Sequence, residues 1–169
     1  MKAMESGMSV ALLDLSGHGE NQPDPDKVMP YHQLSRTLLW TGRTLLGEWT
    51  KEILAVARFL NGMFPGQTLG VHGFKETALA SLFASVFCPD IRKVVLEDAP
   101  VSYQFCGHTP FYGMALPLPG ILTWGDISLA AALSEAELQW VNPRNAAGEL
   151  AEVPAQEIET YKKIIKNQE

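Results

Sequence analysis

A chain of 169 residues, 46% apolar and 19% charged, is long enough to bury a core and reads as one globular domain spanning residues 1–169. Its net charge of -6 and pI near 5.2, with Lys and Arg scattered along the chain, argue against nucleic-acid binding and against an anionic membrane surface. No apolar run approaches the ~18 residues of a membrane span, and Met1 to Gly7 lacks the profile of a signal peptide, so the chain as written is expected in the cytoplasm.

Met8-Ser-Val-Ala-Leu-Leu-Asp-Leu15 reads as a buried strand that begins almost at the first residue, as though the chain started in mid-fold. Gly19 to Pro30 holds three prolines among Asp, Asn and Gln and predicts a surface loop, followed by a short helix around Leu34 to Trp40. Trp49, Ile53, Val56, Ala57 and Leu60 share one helical face, with Gly62 and Pro65 as stop signals. A second strand is predicted over residues 68–73, and Leu79, Leu82, Phe83 and Val86 mark the next helix, which Pro89 ends.

Strands are predicted again at residues 93–97 and 138–142, separated by an irregular stretch, Pro100 to Gly125, of the kind that forms a pocket wall or lid. Pro154 to Asn167 has a helical pattern through Ile158, Tyr161, Ile164 and Ile165. Strands alternating with helices imply βαβ crossovers: an α/β class, three-layer α/β/α, with a mainly parallel sheet of about four strands. Cys88 and Cys106 lack metal-ligand spacing and point to a reduced or indifferent compartment rather than a disulfide framework.

Several phrases fall in a telling order. Asp14-Leu-Ser-Gly17-His18-Gly19-Glu20 follows the first apolar run and Thr41-Gly42-Arg43-Thr44-Leu45-Leu46-Gly47 leads into a helix. Leu69-Gly70-Val71-His72-Gly73 enters the next helix, and Leu118-Pro119-Gly120-Ile121-Leu122 and Leu138-Gln-Trp-Val-Asn142-Pro143 come later. Together they resemble the acetyl-xylan-esterase-like branch of the α/β-hydrolases, the carbohydrate esterases, in partial and degenerate form. The resemblance implies a truncated α/β-hydrolase-like fold whose strands correspond to the family's fourth to seventh, without the N-terminal strands. It also implies an active site at the carboxyl edge of the sheet, where Ser attacks an ester, His moves the proton and Asp orients the His.

The family's nucleophile sits on a strained Gly-x-Ser-x-Gly turn. Here the matching residues are Gly73-Phe74-Lys75-Glu76-Thr77, so Lys75 takes the nucleophile's place and the hydroxyl is missing. The acid's place falls on Asn145, which cannot supply the charge that stabilises imidazolium, and no histidine follows His108. A degenerate or truncated relative of a carboxyl-ester hydrolase, without conventional Ser-His-Asp catalysis, is therefore expected; a small ester or carbohydrate as its ligand is what the resemblance alone implies.

The competing reading is an active esterase with a rearranged site over residues 98–125, built from Ser102, His108 and Asp98. Local turn hydrogen bonding is the plainer role for Asp98 and Ser102. His18, His72, Phe74 and Glu76 are the remaining residues placed to line a pocket at the carboxyl edge. Four histidines without His-x-x-x-His or Cys/His pairing give no ground for a metal site, and no cofactor is expected. Trp40, Trp49, Trp124 and Trp140 read as core packing in preference to a sugar groove.

In the family's strand order another strand lies between those matching residues 8–15 and 68–73, so unpaired backbone groups must be satisfied some other way. The two runs either pair directly, or another chain covers the edge. A homo-oligomer is thus the third reading.

Overall fold

A computed structural model of the chain describes residues 7–19, 22, 31–104 and 111–168. The elements in order are α1 (His32–Trp40), α2 (Leu45–Met63), β1 (Leu69–Phe74), α3 (Glu76–Phe87), β2 (Ile91–Glu97), α4 (Ile121–Trp124), α5 (Ile127–Leu133), β3 (Glu137–Val141) and α6 (Ala155–Lys166). The strands form one parallel sheet in sequence order, β1-β2-β3. The α/β class is therefore present, its strands joined by helical crossovers as parallel pairing requires.

The chemistry of each helix explains its place. Thr44 caps α2 by accepting the Gly47 N–H at 3.1 Å. One turn of side chains later, Leu46, Trp49, Ile53 and Ala57 form the buried stripe that faces α3. Helix α3 is packed on several sides, against β1, β2, α2 and α5. Its composition fits that position: Ala78, Ala80 and Ala84 let neighbours approach closely, while Leu79 and Leu82 fill the space between them, all fully buried. Ser81 and Ser85 remain tolerable in such a helix because each donates to a carbonyl of its own turn, Thr77 and Leu82 respectively.

The two faces of the sheet differ. Val94 and Leu96 are completely buried on the face that α3 covers, and Val71 and Gly73 sit opposite them in register. On the other face Lys93 pairs with Glu137 across the strands at 3.1 Å and His72 with Glu97 at 2.7 Å, all four at least partly exposed. Phe74 is half exposed on that same face. Among the described residues this side has no covering layer, so the third of the expected three layers is not seen among them.

The expected fourth strand is also absent: residues 8–15 carry no strand pairing, and β1 pairs with β2 alone. A direct pairing of residues 8–15 with β1 is thereby ruled out for the single chain. An apolar run becomes a strand only when a neighbouring backbone takes up its N–H and C=O groups, and here the run is anchored elsewhere. Leu15 is buried, the Ser16 hydroxyl and N–H both donate to Glu52, and Trp49 Nε1–H donates to the Ser16 carbonyl at 2.8 Å. The segment's base is thus fastened to α2 rather than to the sheet.

Candidate functional site at the carboxyl edge of the sheet

All three strands end in the same way. The residues that follow them, Lys75, Asp98 and Asn142, are non-glycine and left-handed, with φ of 53°, 50° and 48°. Such backbone costs of order 1 kcal/mol or more per residue and persists only where the surroundings impose it. At Lys75 the constraint is visible. Its N–H completes the β1–β2 ladder by donating to Glu97 O at 2.8 Å, and the chain must turn at once into α3, whose backbone touches Gly73. With ψ at -121°, Lys75 occupies a sharp strand-to-helix turn at the position where an elbow nucleophile would stand.

Its side chain is held by aromatic faces. Lys75 Nζ lies 4.3 Å from the centre of the Phe111 ring and 5.7 Å from that of Phe74. The Arg144 guanidinium lies 5.1 Å from the same Phe111 ring, so two cations share one π system. Arg144 is fixed in turn by Asp98 Oδ1 at 2.7 Å and the Gly148 carbonyl at 2.8 Å. It reaches this place because the chain beyond β2 and β3 stays paired: Arg144 N–H donates to Ala99 O, and Val101 N–H to Arg144 O.

Beneath the turn lies a buried carboxylate. Glu76, in the first turn of α3, accepts the Gly113 N–H, and a negative group there complements the helix N-terminus. Tyr31 and Tyr112 are close enough for the Glu76 charge to be felt. Burial first, and Glu76 second, raise both phenols above their ordinary value of 10.0; for Tyr112, Asp98 adds to the rise and Arg144 opposes it. Tyr103 is raised by burial and then by Asp126.

These three phenols predict an alkaline weakness. A phenol whose pKa is raised on folding contributes stability that is complete below its unfolded value near 10 and is lost as pH rises toward the folded value. Stability should fall above about pH 10, by about 1.4 kcal/mol per pH unit from Tyr103 alone, with Tyr112 acting in the same direction. Urea midpoints at pH 8, 10 and 11 read this directly; a flat profile would contradict it.

The residues of the rearranged triad are not brought together among the described residues. Asp98 is engaged by Arg144, while the Ser102 hydroxyl donates to Asp126. Asp126 also accepts the N–H groups of Tyr103 and Ile127, both at 2.7 Å, and so joins the loop to the start of α5. His108 and Cys106 lie outside the described residues; Cys88 is a buried free thiol.

Asn145 is occupied within its own turn. Its side-chain oxygen accepts from Ala147 and Glu149 N–H, and its amide donates to Glu149. His72 lies on the exposed sheet face with Glu97, whereas His18 Nε2 is 2.9 Å from the Tyr31 hydroxyl, its ring packed against those of Tyr31 and Trp49. Of the expected pocket residues, His18 and Glu76 therefore share the Tyr31 neighbourhood, and Phe74 belongs with Lys75.

Comparison with protein-family models, curated proteins and solved structures finds no match. The chemistry must be judged from the residues themselves. Among those described, no three His, Cys, Asp or Glu side chains gather as a metal ion would need, and no helix is long and apolar enough to cross a membrane. A groove of about 370 Å³ between α2 and α3, lined by Leu46, Thr50, Leu54, Phe83, Phe87 and Leu118, is almost wholly apolar. Lys51 also borders it, and its Nζ is paired with Glu48 at 2.6 Å.

Sequence reasoning missed Phe111, Arg144, Tyr31 and Tyr112. All four come from loops or loop edges, where no periodicity marks a position as inward-facing. Arg144 had one usable signal, its place directly before Asn145 at the end of the last strand.

Proposed function

We propose that this chain is a catalytically degenerate relative of the acetyl-xylan-esterase-like α/β-hydrolases, a domain that keeps the nucleophile's turn without a nucleophile suited to ester cleavage. One observation supports it above the others: Lys75 stands on the strained strand-to-helix turn, with φ 53° and ψ -121°, and its ammonium rests on Phe111. Ester hydrolysis by this fold needs a hydroxyl at that point and a histidine within hydrogen-bond reach to take its proton. An ammonium has no lone pair free to attack a carbonyl. Asn145, at the acid's place, is spent on its own turn.

The ligand class that goes with this kinship is a small ester or carbohydrate, bound without turnover at the carboxyl edge. The two cations over Phe111 and the Tyr31, Tyr112 and Glu76 group supply the polar contacts there.

A chromogenic acetyl ester tests the proposal. The purified protein should hydrolyse it no faster than buffer does. Turnover above buffer that disappears in Ser102→Ala would overturn the proposal and establish the rearranged site in its place.

A further inference from the structure

We propose that the domain associates with a second copy of itself by strand exchange, residues 8–15 of each copy adding to the open edge of β1 in the other. The proposal uses only the α/β fold and is independent of whether the site has lost its activity.

Hydrogen-bond geometry identifies the edge. Lys75 N–H points to β2, since it donates to Glu97 O. In a parallel strand both backbone groups of a residue point to the same side, and the side alternates. Gly73 and Val71 therefore face β2 like Lys75, and Gly70, His72 and Phe74 direct their N–H and C=O groups away from it. Phe74 is already served: its N–H donates to Thr77 Oγ1 at 2.9 Å, and Thr77 Oγ1 donates back to its carbonyl at 2.8 Å. Thr77 thus closes the carboxyl end of the edge. Gly70 and His72 remain, two donors and two acceptors in a row with no strand beside them among the described residues.

Protein edges are commonly guarded by Pro, Lys or another charge. The sequence of β1, Leu-Gly-Val-His-Gly-Phe, contains no Pro, Lys, Arg, Asp or Glu, and its His72 is turned to Glu97 on the sheet face.

The same chain displays a strand with no sheet. Residues 8–14 form no backbone-to-backbone hydrogen bond among the described residues, and their large apolar side chains face water. Leu12 is 96% exposed, and Met8, Val10 and Leu13 are 58%, 54% and 43% exposed. The segment projects from a fixed base at Leu15 and Ser16, so it is presented rather than packed. Each copy thus carries one unpaired edge and one unpaired strand-forming segment. A two-fold arrangement satisfies both at once, since each copy gives what it receives.

Sedimentation velocity of the full 169-residue chain over a range of concentrations tests this. The unsubstituted chain should dimerise. His72→Pro removes an outward-facing N–H together with the side-chain bond from His72 to Glu97, and should raise the dimer dissociation constant at least about tenfold. The double variant Val10→Asp with Leu12→Asp should do the same while leaving the circular dichroism spectrum unchanged, since neither residue is in the core; it carries the test should the proline variant not fold. A chain that stays monomeric at every concentration overturns the proposal, as does a dimer whose affinity is unmoved by the double variant. Ester turnover measured on the same samples reports separately on the proposed loss of catalysis.

Discussion

Gly73→Ala should destabilise the domain by about 3 kcal/mol or prevent its folding. A Cβ there would stand 2.5 Å from Ala78 Cα, 2.6 Å from Thr77 O and 2.7 Å from Ala78 N. All three are backbone atoms of the first turn of α3, so no rotamer change relieves the overlap. The helix itself would have to move, and it is held by β1, β2, α2 and α5 together. Against a typical total stability of about 5–15 kcal/mol, that loss is large. Gly70→Ala, in the same strand, is the control. Its Cβ would meet Lys93 O at 3.6 Å, an ordinary contact, and the cost should stay within about 1 kcal/mol. Urea unfolding of both variants decides the matter; equal losses would mean that the close approach of strand and helix is not what fixes the turn.

Trp49→Ala should cost about 3–5 kcal/mol. Trp49 is completely buried, its ring centre lies 4.9 Å from that of His18 and 5.2 Å from that of Tyr31, and its indole N–H donates to Ser16 O. The substitution opens a cavity and frees the turn at residues 15–19 together. Trp49→Phe separates these effects. It keeps much of the ring packing, loses the hydrogen bond, and should cost about 1–2 kcal/mol, chiefly through the Ser16 carbonyl left without its donor. If Trp49→Phe proved as damaging as Trp49→Ala, the hydrogen bond would dominate and the packing of His18 and Tyr31 would be incidental.

The crossover units were legible because their side chains repeat. The strand predicted over 68–73 forms at Leu69–Phe74, and those predicted at 93–97 and 138–142 form at Ile91–Glu97 and Glu137–Val141. The helices containing Trp49, Leu79 and Ile158 lie where their apolar spacing put them. Residues 8–15 misled for a physical reason. Apolar content expresses a preference for burial against a neighbour, yet does not establish that one is there, and in the single chain Leu12 is almost fully exposed. The same limit applies to the site. Lys75 was legible, because Gly73 and the following helix fix its turn, whereas Phe111 meets it from 36 residues along the chain and Arg144, 69 residues along, meets the Phe111 ring. No local pattern encodes such meetings.

The left-handed residues that close the three strands have a consequence for how the domain can change. Because the three strands run parallel, Lys75, Asp98 and Asn142 all stand at the same rim of the sheet, and each connection leaves from it. The sheet and its supporting helix fix the exits, and the connections supply whatever chemistry the rim displays. Scaffold and chemistry are therefore separable here. Lys and Asn at two exits show that the frame accepts side chains of different kinds, so a new activity could be grafted onto the connections without redesigning the sheet beneath them.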